Sequence, residues 1–299
     1  MKQQASAGIR RLPKVFTGGL DKTINPVGQS PNPGTESAHM TMIKLRVHLR
    51  TPGWSVQSNL SVDDEFAPID AWTPLLQGLA SYGAQAADVA AQAEGKRVSC
   101  AKGCAACCRQ LVVISLVEAR ALAQLVADTP QPRQNQIRAR FAAAFARLSE
   151  NGLLGPGAAE VQDDAQAPLA QTDHHRLAAA WFHLGVACPF LEDEACSIHE
   201  SRPLVCREYQ VTSPAITCSK LYQEPVARIE MPVRIGQALA QATAKIAGVS
   251  VAMVPLVSAL QIPPAVDAAL AEPRDPIAVL EAVLAEIGDW RVDRVSNDS

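Results

Sequence analysis

The chain is 299 residues long, and its 27 Lys and Arg face 30 Asp and Glu, a formal net charge of −3. That near balance argues against a general nucleic-acid binder, which carries a strong basic excess. A hydrophobic content of 48% suffices for one good core or two small ones, and an aromatic content of only 4% favours helices packed through small residues over a β-sandwich. The expected fold class is mainly α, a small helical domain with irregular cysteine-rich loops organised by metal and minor β content.

Residues 1–62 hold Lys2, Arg10, Arg11, Lys14, Lys22, Lys44, Arg46 and Arg50 against Asp21 and Glu36, punctuated by runs such as Gln29-Ser30-Pro31-Asn32-Pro33-Gly34. Such a segment buries too little to offset its ordering entropy and is expected to be a disordered basic tail, with Met40 or Met42 as alternative translation starts. Arg10-Arg11 resembles the head of a twin-arginine signal, but no apolar run of about 7–15 residues follows it. No later stretch reaches the roughly 18 apolar residues of a membrane span. A cytoplasmic location with no membrane partner is therefore expected, and in a reducing cytoplasm clustered cysteines bind metal or do redox chemistry rather than form structural disulfides.

A cysteine-cluster domain is expected over 63–230. Leu75, Leu76, Leu79, Tyr82, Ala86 and Val89 keep helical spacing over Asp70–Ala93, with Pro74 tolerable in the first turn. After the first cysteine run, Leu111–Ile114 reads as a short buried extended segment. Ser115-Leu116-Val117-Glu118 is a capping box that predicts a helix from there to about Asp128. Pro130 and Pro132 break the chain, and Ile137, Phe141, Ala144, Phe145 and Leu148 mark an amphipathic helix over about 133–149, stopped at Asn151-Gly152. Residues 152–172 read as a loop, and Asp173 as the cap of a helix carrying Leu177, Ala180, Trp181 and Leu184. Residues 231–299 read as a C-terminal helical extension, with helices near 232–247 and 276–287.

All eight cysteines fall into two short stretches. The first is Cys100-Ala-Lys-Gly-Cys104-Ala-Ala-Cys107-Cys108; the second holds Cys188, Cys196, Cys206 and Cys218, with gaps of seven, nine and eleven residues. Cysteines used for packing would scatter through the helices. Thiolates are soft ligands suited to zinc and iron–sulfur centres, and ligands close in sequence lower the entropy of assembling a site. Were Cys100–Cys108 helical, all four of its thiols would share one face. Adjacent Cys107 and Cys108 would then point about 100° apart, which favours two sites, or a ligand and a neighbouring thiol, over one site using every sulfur. Arg109, Arg202 and Arg207 can offset the negative charge of a thiolate site through hydrogen bonds to sulfur. Cys104-Ala-Ala-Cys107 has the spacing of a thiol–disulfide catalyst, but the βαβ context is missing and six further cysteines go unexplained. His199 is a possible further ligand, although a packed loop histidine is the commoner role. His174, His175 and His183 read as solvated or structural.

The Cys104-Ala-Ala-Cys107-Cys108-Arg109 run, Cys188-Pro-Phe-Leu, Cys196-Ser-Ile-His199-Glu-Ser-Arg202-Pro203 and Cys206-Arg207-Glu-Tyr209 resemble the YkgJ-type cysteine-cluster family, also described as CxxCxxCC proteins. The resemblance spans about residues 98–222 and implies a zinc- or iron-chelating or iron–sulfur protein. The first gap here is three residues rather than two, and His199 stands where the family usually has tyrosine, so a ligand role for His199 is not carried over. Flagellin lysine methylases look like distant relatives. The expected function is metal binding through Cys100, Cys104, Cys107, Cys108, Cys188, Cys196, Cys206 and Cys218, with zinc or an iron–sulfur cluster as cofactor and no nucleic-acid partner. The alternatives are an enzyme (methylase-like protein modification or iron–sulfur oxidoreduction) and a metal buffer or delivery protein.

Overall fold

The computed structural model describes residues 42–51, 54–154, 171–249 and 253–295. The readings made on residues 1–41, and most of the loop read at 152–172, lie outside these. The helices are α1 (Thr73–Ala93), α2 (Leu116–Ala127), α3 (Arg133–Glu150), α4 (Gln171–Leu184), α5 (Leu204–Glu208), α6 (Ala215–Cys218), α7 (Ile235–Ala247), α8 (Pro264–Ala271) and α9 (Pro276–Ala285). The strands are β1 (Met42–Thr51), β2 (Trp54–Asp63), β3 (Val113–Ser115), β4 (Leu191–Glu192), β5 (Ala195–Cys196), β6 (Met253–Pro255) and β7 (Asp289–Val295). They form a three-stranded antiparallel sheet in the order β2-β1-β7 and two two-stranded pairs, β3-β6 and β4-β5. The mainly α class holds, and among the described residues no helix is long and apolar enough to cross a membrane.

Residues 42–51 and 54–63 are an antiparallel pair of strands, not a disordered tail. Their basic residues are one side of a two-residue alternation: Ile43, Leu45, Val47 and Leu49 face inward, whereas Lys44, Arg46 and Arg50 are exposed between them. Weighing charge alone hides that period. The inward side reaches a core shared with the C-terminal region, where Leu45, Leu49, Leu76, Leu204, Leu239, Leu270 and Leu284 are almost fully buried together. β1 pairs with β7 from Lys44↔Val295 to Arg50↔Asp289, so the two ends of the described chain meet in one sheet.

Helix α2 begins where the capping box predicts. The Ser115 side chain accepts from the Glu118 backbone N–H, while the Glu118 carboxylate accepts from the Ser115 backbone N–H. The helix is apolar on two faces. Leu116 and Val117 join the first core, whereas Ala119, Leu122 and Val126 pack into a second with Ile114, Ile137, Phe141, Phe190 and Leu256. Cys188, Ile198 and Val205 lie against that second core, which places the second cysteine segment on it. Helix α4 starts at Gln171, two residues before the cap read at Asp173, so Asp173 lies inside its first turn. The bounds expected for α1, α3, α7 and α9 match within a few residues.

Candidate metal centre

The first cysteine segment is not a helix. Ala101–Cys104 is a turn closed by Cys104 N–H donating to the Ala101 carbonyl at 3.0 Å, with Gly103 at φ +89°. This is the third position of a type II turn, where glycine adopts positive φ without a Cβ penalty. A single 3-10 turn, Ala106–Arg109, follows and carries Cys107 and Cys108.

The second segment approaches through two structures. After Cys188, β4 and β5 form a hairpin whose turn residues Asp193 and Glu194 both have positive φ, 48° and 55°, and which carries Cys196. Arg109 holds this turn with a two-pronged pair to Glu194 at 2.6 and 3.0 Å. Arg133 and Arg140 of α3 pair with Glu192 at 3.1 and 2.6 Å. Cys206 lies in α5 and Cys218 at the end of α6.

Two backbone ties bring the segments together. Cys188 N–H donates to the Cys108 carbonyl at 2.7 Å, and Ser99 N–H to the Val211 carbonyl at 2.9 Å. The Ser99 hydroxyl also donates to the Ser213 and Val211 carbonyls. A third tie runs through Glu118, which sequence reasoning places only in its own capping box. Its Oε2 accepts from the Ser115 hydroxyl and backbone at 2.8 and 3.0 Å, while its Oε1 accepts from Leu204 N–H, the first residue of α5, at 2.7 Å. Burial raises the pKa of this enclosed carboxyl and the hydrogen bonds from Leu204 and Ser115 pull it back. Glu208, at the far end of α5, accepts from Gly236 N–H at 3.1 Å and so caps α7, which has no side-chain cap of its own.

All eight cysteines are free thiols, and Cys100 and Cys107 are exposed whereas Cys218 is buried. They sort by electrostatic neighbourhood. Cys218 feels Cys104 and Cys100; Cys108 feels Cys188 and Cys206; Cys196 acts on Cys188 and on Cys206; Cys107 acts on members of both sets. Cys107 and Cys108 are electrostatically coupled neighbours on the 3-10 turn. The interaction with Cys108 draws Cys107 down to about 7, and the same interaction, with burial, pushes Cys108 upward. Burial pushes Cys188 up to about 12 and Cys206 well above the ordinary thiol range, and raises Cys100, Cys196 and Cys218. Among the described residues no three His, Cys, Asp or Glu side chains already stand in ligand geometry around one point. The thiols are gathered, not closed.

His199 is exposed, with Nδ1 3.4 Å from the carboxylate of Glu200. His175 and His183 are also exposed and flank the Tyr222 ring, with centroids at 5.0 and 6.4 Å. Residues 99–225 match a family model, CxxCxxCC, described as a putative zinc- or iron-chelating domain. This stretch of the chain is similar to the CxxCxxCC domain, and all eight cysteines lie within it. No curated protein and no solved structure matches the chain.

Proposed function

We propose that this chain binds metal at two neighbouring four-thiolate sites, one formed by Cys100, Cys104, Cys107 and Cys218 and the other by Cys108, Cys188, Cys196 and Cys206. The observation that carries this reading is the convergence of both cysteine segments, fixed by the Cys188–Cys108 and Ser99–Val211 backbone hydrogen bonds at either end of the first run. The donor set fits. Eight sulfurs fill two four-coordinate sites, and thiolates with no carboxylate among them select zinc or iron–sulfur chemistry over magnesium or calcium. Each thiol loses its proton on binding, so affinity climbs with pH while the buried thiols remain protonated in the metal-free protein.

Metal analysis with an absorption spectrum of the full chain, purified anaerobically, tests the proposal. Two zinc ions per chain with no visible absorption, or iron and sulfide with a charge-transfer spectrum, are the supporting outcomes. Protein that takes up neither after reconstitution, with all eight thiols titrating freely, overturns it. Exchanging Cys218 for Ser should remove metal from the first site and spare the second.

A further inference from the structure

We infer that Arg202 is a positioning residue for metal: its guanidinium is the cation shared by the two thiolate groups, and it sets how tightly they hold their ions. This rests on the two-site reading and adds to it the residue that balances charge between the sites. Three arginines flank the cysteines in sequence, and the structure separates them. Arg109 is committed to Glu194 and to the Ala105 carbonyl. Arg207 is committed to the Ser81 hydroxyl at 2.9 Å, the Arg202 carbonyl at 3.0 Å and the Glu200 carbonyl. Arg202 is held by its backbone instead: its carbonyl accepts from Arg207 and from the Gln77 amide at 3.3 Å.

That leaves the Arg202 side chain for another purpose. Its Nε is buried and has no hydrogen-bond partner, and among the described residues no carboxylate pairs with it. It lies within electrostatic reach of Cys100 and Cys107 in the first group and of Cys196 in the second. Arg140, Arg207 and Arg228 act on Cys188, Cys196 and Cys218 respectively, and none of the three is an electrostatic neighbour shared by Cys100, Cys107 and Cys196. Arg202 and Arg207 also repel each other. A buried donor and two adjacent cations call for negative charge nearby. A divalent ion held by four thiolates carries net charge −2 by simple addition, so filling both sites supplies it around this guanidinium.

The test uses the full chain, reduced and metal-free under argon, titrated with zinc alone against a chromophoric chelator. Arg202→Gln should bind zinc about tenfold more weakly or worse. Arg202→Lys, which keeps the charge, should stay within about threefold of the unaltered chain. A purely structural arginine would not be rescued by lysine. The inference is overturned if Arg202→Gln binds as tightly as the unaltered chain, or if Arg202→Lys is as weak as Arg202→Gln. Far-UV circular dichroism shows whether the glutamine variant folds; if it does not, the lysine variant alone decides, and a loss of tenfold or more there overturns the inference. Failure of the unaltered chain to bind zinc fells the two-site reading itself, and the inference with it.

Discussion

At the scale of single residues, Cys107 combines features that its neighbours do not share. It is exposed, and its interaction with the neighbouring Cys108 draws its pKa down to about 7. Thiolate is the reactive form, so in reduced, metal-free protein Cys107 should be the first cysteine alkylated near neutral pH. The sign follows from the partner: Cys108→Ala removes the interaction that lowers Cys107, returns it toward the ordinary thiol range and slows its labelling at pH 7 by roughly tenfold. Peptide mapping after a short iodoacetamide pulse reads this directly. Equal labelling of all exposed thiols would show that Cys108 does not lower Cys107 in this way. Sequence alone places the two cysteines side by side, but the 3-10 turn that carries them leaves no periodic signal in the sequence.

At the scale of elements, the turn at Ala101–Cys104 shows how the first run is shaped. Nothing lies within 4 Å of a Cβ built on Gly103, so an added methyl meets no neighbour and the whole cost of Gly103→Ala is conformational. Forcing alanine to φ +89° should cost about 1–2 kcal/mol, read by thermal or urea unfolding. It should also weaken metal uptake, because the turn sets the separation of Cys100 and Cys104. Helices with strong apolar period or caps (α2, α3, α9) are legible in sequence because their signals are local. The elements that build the site are not. The β4-β5 hairpin has only two residues per strand and a non-glycine turn, and α5 spans one turn capped by Glu118, 86 positions away in the chain. The cysteines themselves were plain; their supports were not.

At the scale of the whole molecule, the first strand and the last close one core. Leu45 is fully buried where β1 meets helices α1, α7 and α9, and Leu45→Ala should cost about 2–5 kcal/mol in a denaturant titration. Because both ends of the described chain share this core, tryptophan fluorescence and far-UV circular dichroism should report one coincident transition. Separate transitions would show that the C-terminal region folds independently. The β1-β7 pairing spans almost the whole described chain, and no local pattern announces a partner so distant.

The ties at Cys188–Cys108 and Ser99–Val211 have a chemical consequence. They close the loop between the two cysteine runs, 79 residues from Cys108 to Cys188, through hydrogen bonds between backbone atoms rather than through sulfur. An open-chain ligand must surrender its own freedom to wrap an ion, whereas a macrocycle has surrendered it beforehand. This chain stands on the macrocyclic side of that divide: its ring is closed by the fold, and under the proposed function the free energy of binding would be left to set affinity and exchange rather than to hold the chain together.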